Sequence, residues 1–386
     1  MRIGLVTFFQ DDNVGTCLQA FALQKKLQEL GHHVEIINYS HQDIVEKDKS
    51  LNNKIKGIIK TYCNRNIFYY KKLKNVDFIT KQNFQRFRDA YLSISPEEYV
   101  EFNQIVECNK DYDAFICGSD MIWTPTFQID HRIYFLQFCD PDKRIAYAPS
   151  FGADKIPPEL EKKYQKYICS IKYISCREDS GVRLIRELAD RKAELVLDPT
   201  QLISKNMWEK TFAQRGSKEN YILCYLFAAS QDVTDWYKEL AKEISEHLNV
   251  KIRFMPMNRT EQVHELHFAD ASYGPAEFLN LIYNAEFVVT NSYHGFMFSL
   301  IFEKPFVVVR REKELYWSQF EKRFESVLQS IHQEQRLLEI GAAMDEGLYS
   351  IDYKRINESL MLQRQRSEAY LCNALKQIEH KNTEKI

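Results

Sequence analysis

Four short polar clusters in this 386-residue chain follow apolar runs and carry side chains able to hold an anion or move a proton. The most informative lies in AEFVVTNSYHGFMFSLIFEKPF, residues 285–306, where an apolar strand ends at Thr290 and an apolar helix begins after Asn291-Ser292-Tyr293-His294-Gly295. Ser292 or Asn291 is an expected N-cap, and Gly295 would let backbone approach a ligand closely. The unbonded N–H groups at such a helix start, together with its dipole, suit a phosphate or carboxylate. A histidine placed there can donate a proton near neutral pH. The plain alternative is a capping cluster that carries a surface histidine.

The second cluster is Ser175-Cys176-Arg177-Glu178-Asp179-Ser180, directly after another strand. Arg177 offers a planar fork for a carboxylate or phosphate, or else it pairs with Glu178 or another acid. The third is Gly118-Ser119-Asp120 with Trp123 close behind. It reads equally as a sugar cradle, with the indole stacking and the acid accepting hydroxyl hydrogen bonds, or as a plain turn beside a core tryptophan. Asp11, Asp12, Asn13, Gly15 and Thr16 form the fourth, a loop after the first strand. It has one glycine and lacks both the G-x-x-x-x-G-K-[ST] and the G-x-G-x-x-G pattern, so its phosphate signal is weak.

The elements that must position these clusters alternate strand and helix. RIGLVTF is a continuous apolar run, as expected for a strand covered on both faces. Ala20, Leu23, Leu27 and Leu30 then recur at helical spacing, Gly31 stops the helix and HVEIINY is the next strand. This β-α-β start implies a parallel sheet, whose carboxyl edge is where open α/β sheets bind ligands. Strands are expected in DYDAFICGSD, RIAYAPSFG, KYISCREDSG and ELVLDPTQLI, with Pro199 ending the last. The rhythm restarts at YILCYLF and continues through a helix from about Trp236 to Leu248, KIRFMPM, a helix from about Pro275 to Tyr283, AEFVVT and FVVVRR. Two α/β domains follow from this restart: 1–205 and 206–351, with a polar boundary near 204–220. The segment 352–386 reads as one amphipathic helix, with Ile356, Leu360, Leu371, Leu375 and Ile378 on one face, able to pack back across the hinge.

A helical insertion of about 43–110 stands apart. Between Asp43 and Ala90 there are twelve Lys or Arg against five acids, interleaved with Phe68, Tyr69, Tyr70, Phe78, Phe84 and Phe87. It offers either a basic, aromatic surface for an anionic glycan or lipid headgroup, or a helix with inward aromatics and solvated lysines. The whole chain has a net charge of −2 from 52 basic and 54 acidic residues, so no global field calls for nucleic acid. Nine cysteines without a C-x-x-C pair or zinc spacing point to a reducing compartment. No apolar run reaches the roughly 18 residues of a membrane span, and no signal peptide is evident. A cytoplasmic protein is therefore expected, with the insertion as a contact to the inner face of the membrane.

Six segments taken together resemble the polysaccharide pyruvyl transferase family: IGLVTFFQDDNVGTCLQAFALQKKLQELGHHVEIINY, YDAFICGSDMIWTP, AYAPSFG, YISCREDSG, LVLDPTQL and AEFVVTNSYHGFMFSLIFEKPF. The resemblance implies two Rossmann-like domains facing across a cleft, similar to the glycosyltransferase B fold. It implies phosphoenolpyruvate as donor, a carbohydrate as acceptor (lipid-linked or soluble) and no required metal or cofactor. Carried over by motif, His294 matches the family's essential histidine and Arg177 the donor-binding arginine of its S-x-R-[DE] segment. Several members have Arg-Leu-His before the helix, where this chain has Ser292-Tyr293-His294. Arg310 or Arg311, at the end of the next strand, is the expected substitute. The reading places His294 and Asp120 in catalysis and Arg177, Ser292, Tyr293 and Gly295 at the donor. Asn13, Gly118, Ser119 and Trp123 are placed at the acceptor, on the N-terminal side. A nucleotide-sugar glycosyltransferase and a non-catalytic glycan-binding protein stand as the two rivals.

Overall fold

The computed structural model describes residues 1–40, 67–212, 219–227, 230–256, 272–311 and 322–384. The expected insertion lies partly outside them, at 43–66.

Within the described residues a seven-stranded sheet has the order β3-β2-β1-β4-β5-β6-β7. Its strands are β1 (Arg2–Val6), β2 (His33–Tyr39), β3 (Ile94–Tyr99), β4 (Ala114–Cys117), β5 (Arg144–Ala146), β6 (Tyr173–Cys176) and β7 (Glu194–Leu195). Every pairing is parallel. A second parallel sheet joins β8 (Tyr221–Leu226), β9 (Lys251–Pro256), β10 (Phe287–Thr290), β11 (Phe306–Val309) and β12 (Leu337–Leu338), in the order β12-β11-β10-β8-β9. The continuous apolar runs read from the sequence are the central strands: β4, β8, β10 and β11 are buried at every residue. The edge strands β3 and β12 escaped that reading because half-exposed or very short strands leave little apolar pattern.

The crossover helices obey simple end signals. Helix α1 (Val14–Glu29) is capped by Asn13, whose Oδ1 accepts from the N–H groups of Gly15 and Thr16 at 2.9 and 3.3 Å. Gly31, at φ +89°, turns the chain out of it. Helix α2 (Ile67–Tyr91) fills part of the expected insertion. Phe84 and Phe87 pack inward, Phe78 is exposed, and Arg88 is tied to Asp12 at 3.3 Å. The inward-packing alternative thus holds for two of the aromatics. The segment's end, β3, belongs to the sheet rather than to an added module.

Among the described residues the interior comprises three apolar clusters. One lies on the far face of the first sheet and includes Phe115, Trp123, Phe135 and Ile168, and another on the far face of the second includes Ile222, Leu240, Ile244 and Val307. The largest runs without a break between the sheets, through Leu23 of α1, Trp208 and Phe212 of α5 (Lys205–Phe212), Phe298 of α8 (Tyr293–Ile301) and Leu371 of α10 (Tyr353–Glu384). The expected boundary near 204–220 falls between β7 and β8, and within it α5 drives two large rings into the shared core. Such a continuous apolar interface holds the two sheets in a fixed relation. The helix read at 352–386 is α10, with Ile356, Leu360, Leu371, Leu375 and Ile378 all buried. It is tied to the first sheet by Tyr370 Oη donating to Ala146 O at 2.9 Å and by Leu197 N donating to Ser367 Oγ at 2.9 Å.

Candidate active site

The carboxyl ends of the two sheets meet at α1 and α8. From the second sheet, β10 ends at Thr290 and α8 starts at Tyr293 with Ser292 as its N-cap, Ser292 Oγ accepting from Gly295 N at 3.3 Å. Asn291, the other cap candidate, is used differently: its side chain bonds Phe227 N and O at 2.8 Å each, tying β10 to the end of β8. His294, in the first turn of α8, is buried. Its ring lies against Gly15 of α1, where a Cβ would run into the imidazole. The lone glycine of the first loop therefore makes room for the catalytic candidate rather than cradling phosphate.

From the first sheet, the loops after β4, β6 and β7 deliver Ser119, Asp120, Arg177, Glu178 and Asp198 to the same place. Arg177 Nη1 donates to Asp198 Oδ2 at 2.9 Å and to Ser119 Oγ at 3.3 Å. Its other nitrogens stand 3.7 Å from Glu178 Oε2 and 3.8 Å from Asp120 Oδ1. Asp198 Oδ2 also accepts from Ser119 Oγ at 2.9 Å and faces His294 Nε2 at 3.9 Å, while Thr200 donates twice to Oδ1. Asp120 accepts from Thr16 Oγ1 at 2.9 Å and holds the left-handed backbone region at φ 73°. A non-glycine residue there stores strain, and such strain gathers at functional sites.

The charges explain the titration directions. Burial pulls the His294 imidazole below its ordinary value; Asp198 and Asp120 oppose that, while Arg177 and Arg323 reinforce it. Burial works against the Asp198 carboxylate, yet His294, Arg177 and the Thr200 donors hold it below the usual carboxylate range. Burial raises Glu178 despite Arg177 beside it. Buried here without a hydrogen bond are the donors Arg177 Nε and Nη2, the acceptor Glu178 Oε2, and His294 Nε2, whose role follows its tautomer. Buried donors are almost always satisfied in folded proteins, so two guanidinium nitrogens left without a hydrogen bond at one point suit an acceptor-rich ligand.

Two further guanidinium groups close the site. Arg311, at the end of β11, donates from Nε to Asn291 O at 3.0 Å and is buried. Arg310 instead turns outward to Glu325 at 2.9 Å and Glu339 at 2.6 Å, so of the two expected substitutes Arg311 is the one beside the helix start. Arg323, on α9 (Lys322–Ser330), stands over the Tyr293 ring at 5.1 Å, with Arg177 over the same ring at 4.6 Å. No local sequence pattern singled out Arg323. Asp198 had a readable signal, an acid ending the apolar run LVLDP at a sheet's carboxyl edge, but Pro199 was read only as a stop.

The expected acceptor set does not assemble. Trp123 is 0% exposed, stacked on Phe135 at 4.5 Å with its indole N–H donating to Tyr134 O at 2.9 Å. It is a core anchor, not a stacking platform. Gly118 packs against Leu23 and Leu5, Asn13 is occupied as a cap, and Ser119 serves Asp198. Gly295 admits the Thr290 side chain rather than a ligand. Among the described residues, no group of three or more His, Cys, Asp or Glu could hold a metal ion, and no helix is long and apolar enough to cross a membrane.

Among solved structures, Methanocaldococcus jannaschii UDP-GlcNAc 2-epimerase in complex with UDP-GlcNAc and UDP is 12% identical, with 94% of this chain and 93% of that chain covered and a TM-score of 0.46. UDP-GlcNAc 2-epimerase from Neisseria meningitidis is 12% identical over 94% and 100% at 0.42, and E. coli heptosyltransferase WaaC with ADP is 12% identical over 94% and 100% at 0.39. Such distant likenesses say nothing about chemistry. The search of curated proteins returns no match. The model of the polysaccharide pyruvyl transferase family, however, matches residues 13–313, from the cap of α1 through β11 and both halves of the site. By that match, spanning most of the chain, the protein belongs to the polysaccharide pyruvyl transferase family and is a transferase.

Proposed function

We propose that the protein transfers the pyruvyl group of phosphoenolpyruvate to a sugar, forming a pyruvate ketal. The observation that carries this reading is the pair of buried Arg177 nitrogens without a hydrogen bond, set beside His294 in the first turn of α8. Phosphoenolpyruvate brings two anionic groups. One would take the orphan N–H groups of Arg177, and the other the helix start with Arg311 and Arg323 close by. His294 donates a proton to the methylene carbon, which makes the adjacent carbon cationic. A sugar hydroxyl attacks that carbon and gives up its proton to Asp120. The C–O bond to phosphate then breaks, phosphate departs with the bonding pair, and a second hydroxyl attacks the same carbon and closes the ketal, its proton passing to the His294 left neutral by the first step. General acid catalysis of this kind contributes about 10²–10⁴-fold.

A free, buried His294 favours the neutral form, so the donor has to bring the proton's stability with it: an anion beside the imidazole raises its pKa. Donor binding and proton uptake are thereby coupled. The carbohydrate acceptor, its attachment to a lipid and a contact with the inner membrane face belong to the same proposal, the last resting on the basic composition of the insertion read at about 43–110. Sedimentation with anionic vesicles tests that contact. The reaction itself is tested by incubating the protein with phosphoenolpyruvate and candidate saccharides, reading phosphate release together with product mass. A mass gain matching a ketal is expected. Consumption of a nucleotide sugar with phosphoenolpyruvate untouched would sink the reading.

A further inference from the structure

The acceptor side emptied by the burial of Trp123 has a better candidate elsewhere. A cavity of about 820 Å³ opens between the edge strand β7, α9 and the returning helix α10, and its inner end is walled by Arg177, Asp198 and Tyr293. It therefore reaches the reaction centre from the side. Its size lies within the roughly 300–1,000 Å³ of ligand clefts. We propose that this groove holds the acceptor as an oligosaccharide chain rather than a single sugar; the inference rests on the carbohydrate acceptor proposed above.

Three features favour a neutral polyol. On α10, Arg366, Tyr370, Asn373 and Gln377 follow one another at spacings of four, three and four, which puts them on one helix face lining the groove. That stripe spans about 16 Å, long enough for a short saccharide. Arg366, Asn373 and Gln377 are exposed, and the Tyr173 hydroxyl in the opposite wall is buried without a hydrogen-bond partner. Amide, guanidinium and phenol groups suit vicinal hydroxyls, which both donate and accept. Leu195 and Leu362, 46% and 54% exposed, line the same groove and can cover the C–H faces of sugar rings. Charge argues against a polyanion, because Asp179, Glu194 and Asp198 face Arg177 and Arg366 and no single sign dominates.

The test uses the whole protein and the double variant Asn373→Ala/Gln377→Ala, both positions being exposed. In the phosphoenolpyruvate assay, KM for the acceptor should fall as the saccharide lengthens from one unit to four. In the variant that length dependence should vanish, with KM for the tetrasaccharide about tenfold higher and kcat held, as expected for two lost hydrogen bonds. Unchanged KM at every length overturns the groove while leaving the pyruvyl transfer reading intact. If phosphoenolpyruvate proves not to be a substrate, binding to an immobilised oligosaccharide array decides instead. Retention by the wild type and loss in the variant support the groove even as the donor reading fails. A wild type that binds nothing, or a variant whose only change is in oligomeric state, overturns it.

Discussion

Two arginines stand over the same phenol ring in opposite electrostatic settings. Arg177 faces three carboxylates; burial opposes its charge, yet Tyr293, Asp198, Asp120 and Glu178 hold it above the ordinary guanidinium value. Arg323 is half-buried, and burial and the like charges of Arg177 and Arg311 outweigh Asp120 and Tyr293 and push it down to about 9. A guanidinium does not give up its proton in a protein, so the depressed value expresses a cation that an incoming anion would stabilise. The first arginine organises the acids that face His294. The second adds positive potential. One chain thus divides between two cations the work that a single fork on an open surface would do.

The largest effect should come from His294, the neighbour of the ring they share. His294→Ala should lower turnover by about 10²–10⁴-fold while circular dichroism and Tm stay near wild type. Near-full activity would remove His294 from the chemistry and leave the two arginines without a common purpose. Gly15→Ala comes next. The added methyl meets the imidazole, and displacing a catalytic group by about 1 Å can cost about 10²-fold, so kcat should drop sharply, with a fall in Tm from the overpacked contact.

The arginines themselves should then separate by readout. Arg177→Met leaves Asp198 buried with no cation at hydrogen-bonding distance, and breaking a buried ion pair from one side costs about 3–5 kcal/mol. A clear fall in Tm and in the denaturant midpoint is expected. Arg323→Met removes a charge that burial already disfavours, so Tm should hold or rise while KM for phosphoenolpyruvate climbs about 10–100-fold through the loss of one charge-assisted contact. If the two variants lose stability equally, the division of roles is wrong.

How much of this was legible in sequence follows from what each signal depends on. His294, Ser292, Arg177 and Asp120 were readable because each ends an apolar strand, and a strand's carboxyl end is a place defined by local pattern. The parallel sheets and the apolar face of α10 were readable for the same reason, since periodicity is local. Trp123 was misplaced because an indole six residues past a buried strand can turn either way, and only the Phe135 ring stacked against it settles which. Arg323 was missed because it lies on a polar helix where charge is ordinary; only the packing of α9 across the site gives it a role. Gly15 was undervalued because its partner, the His294 ring, lies 279 positions away in the chain.

The smallest expected effect is also the most specific, a shift in the pH profile. Burial holds His294 below its ordinary pKa, so in the free protein the protonated acid dominates only on the acid side of neutrality. The profile of kcat/KM for the donor should therefore fall as pH rises, with its midpoint below about 6.5. A bound anion raises the imidazole, so the corresponding limb of kcat should lie at higher pH. The neighbours then act with opposite signs. Arg323 lowers His294, so Arg323→Met should move the kcat/KM limb to higher pH. Asp198 raises His294, so Asp198→Asn should move it to lower pH. Measured on the residual activity of both variants, opposite displacements place His294 between Arg323 and Asp198 as the titrating acid. A common direction, or no displacement, would assign the limb to another group and with it the proton that pyruvyl transfer requires.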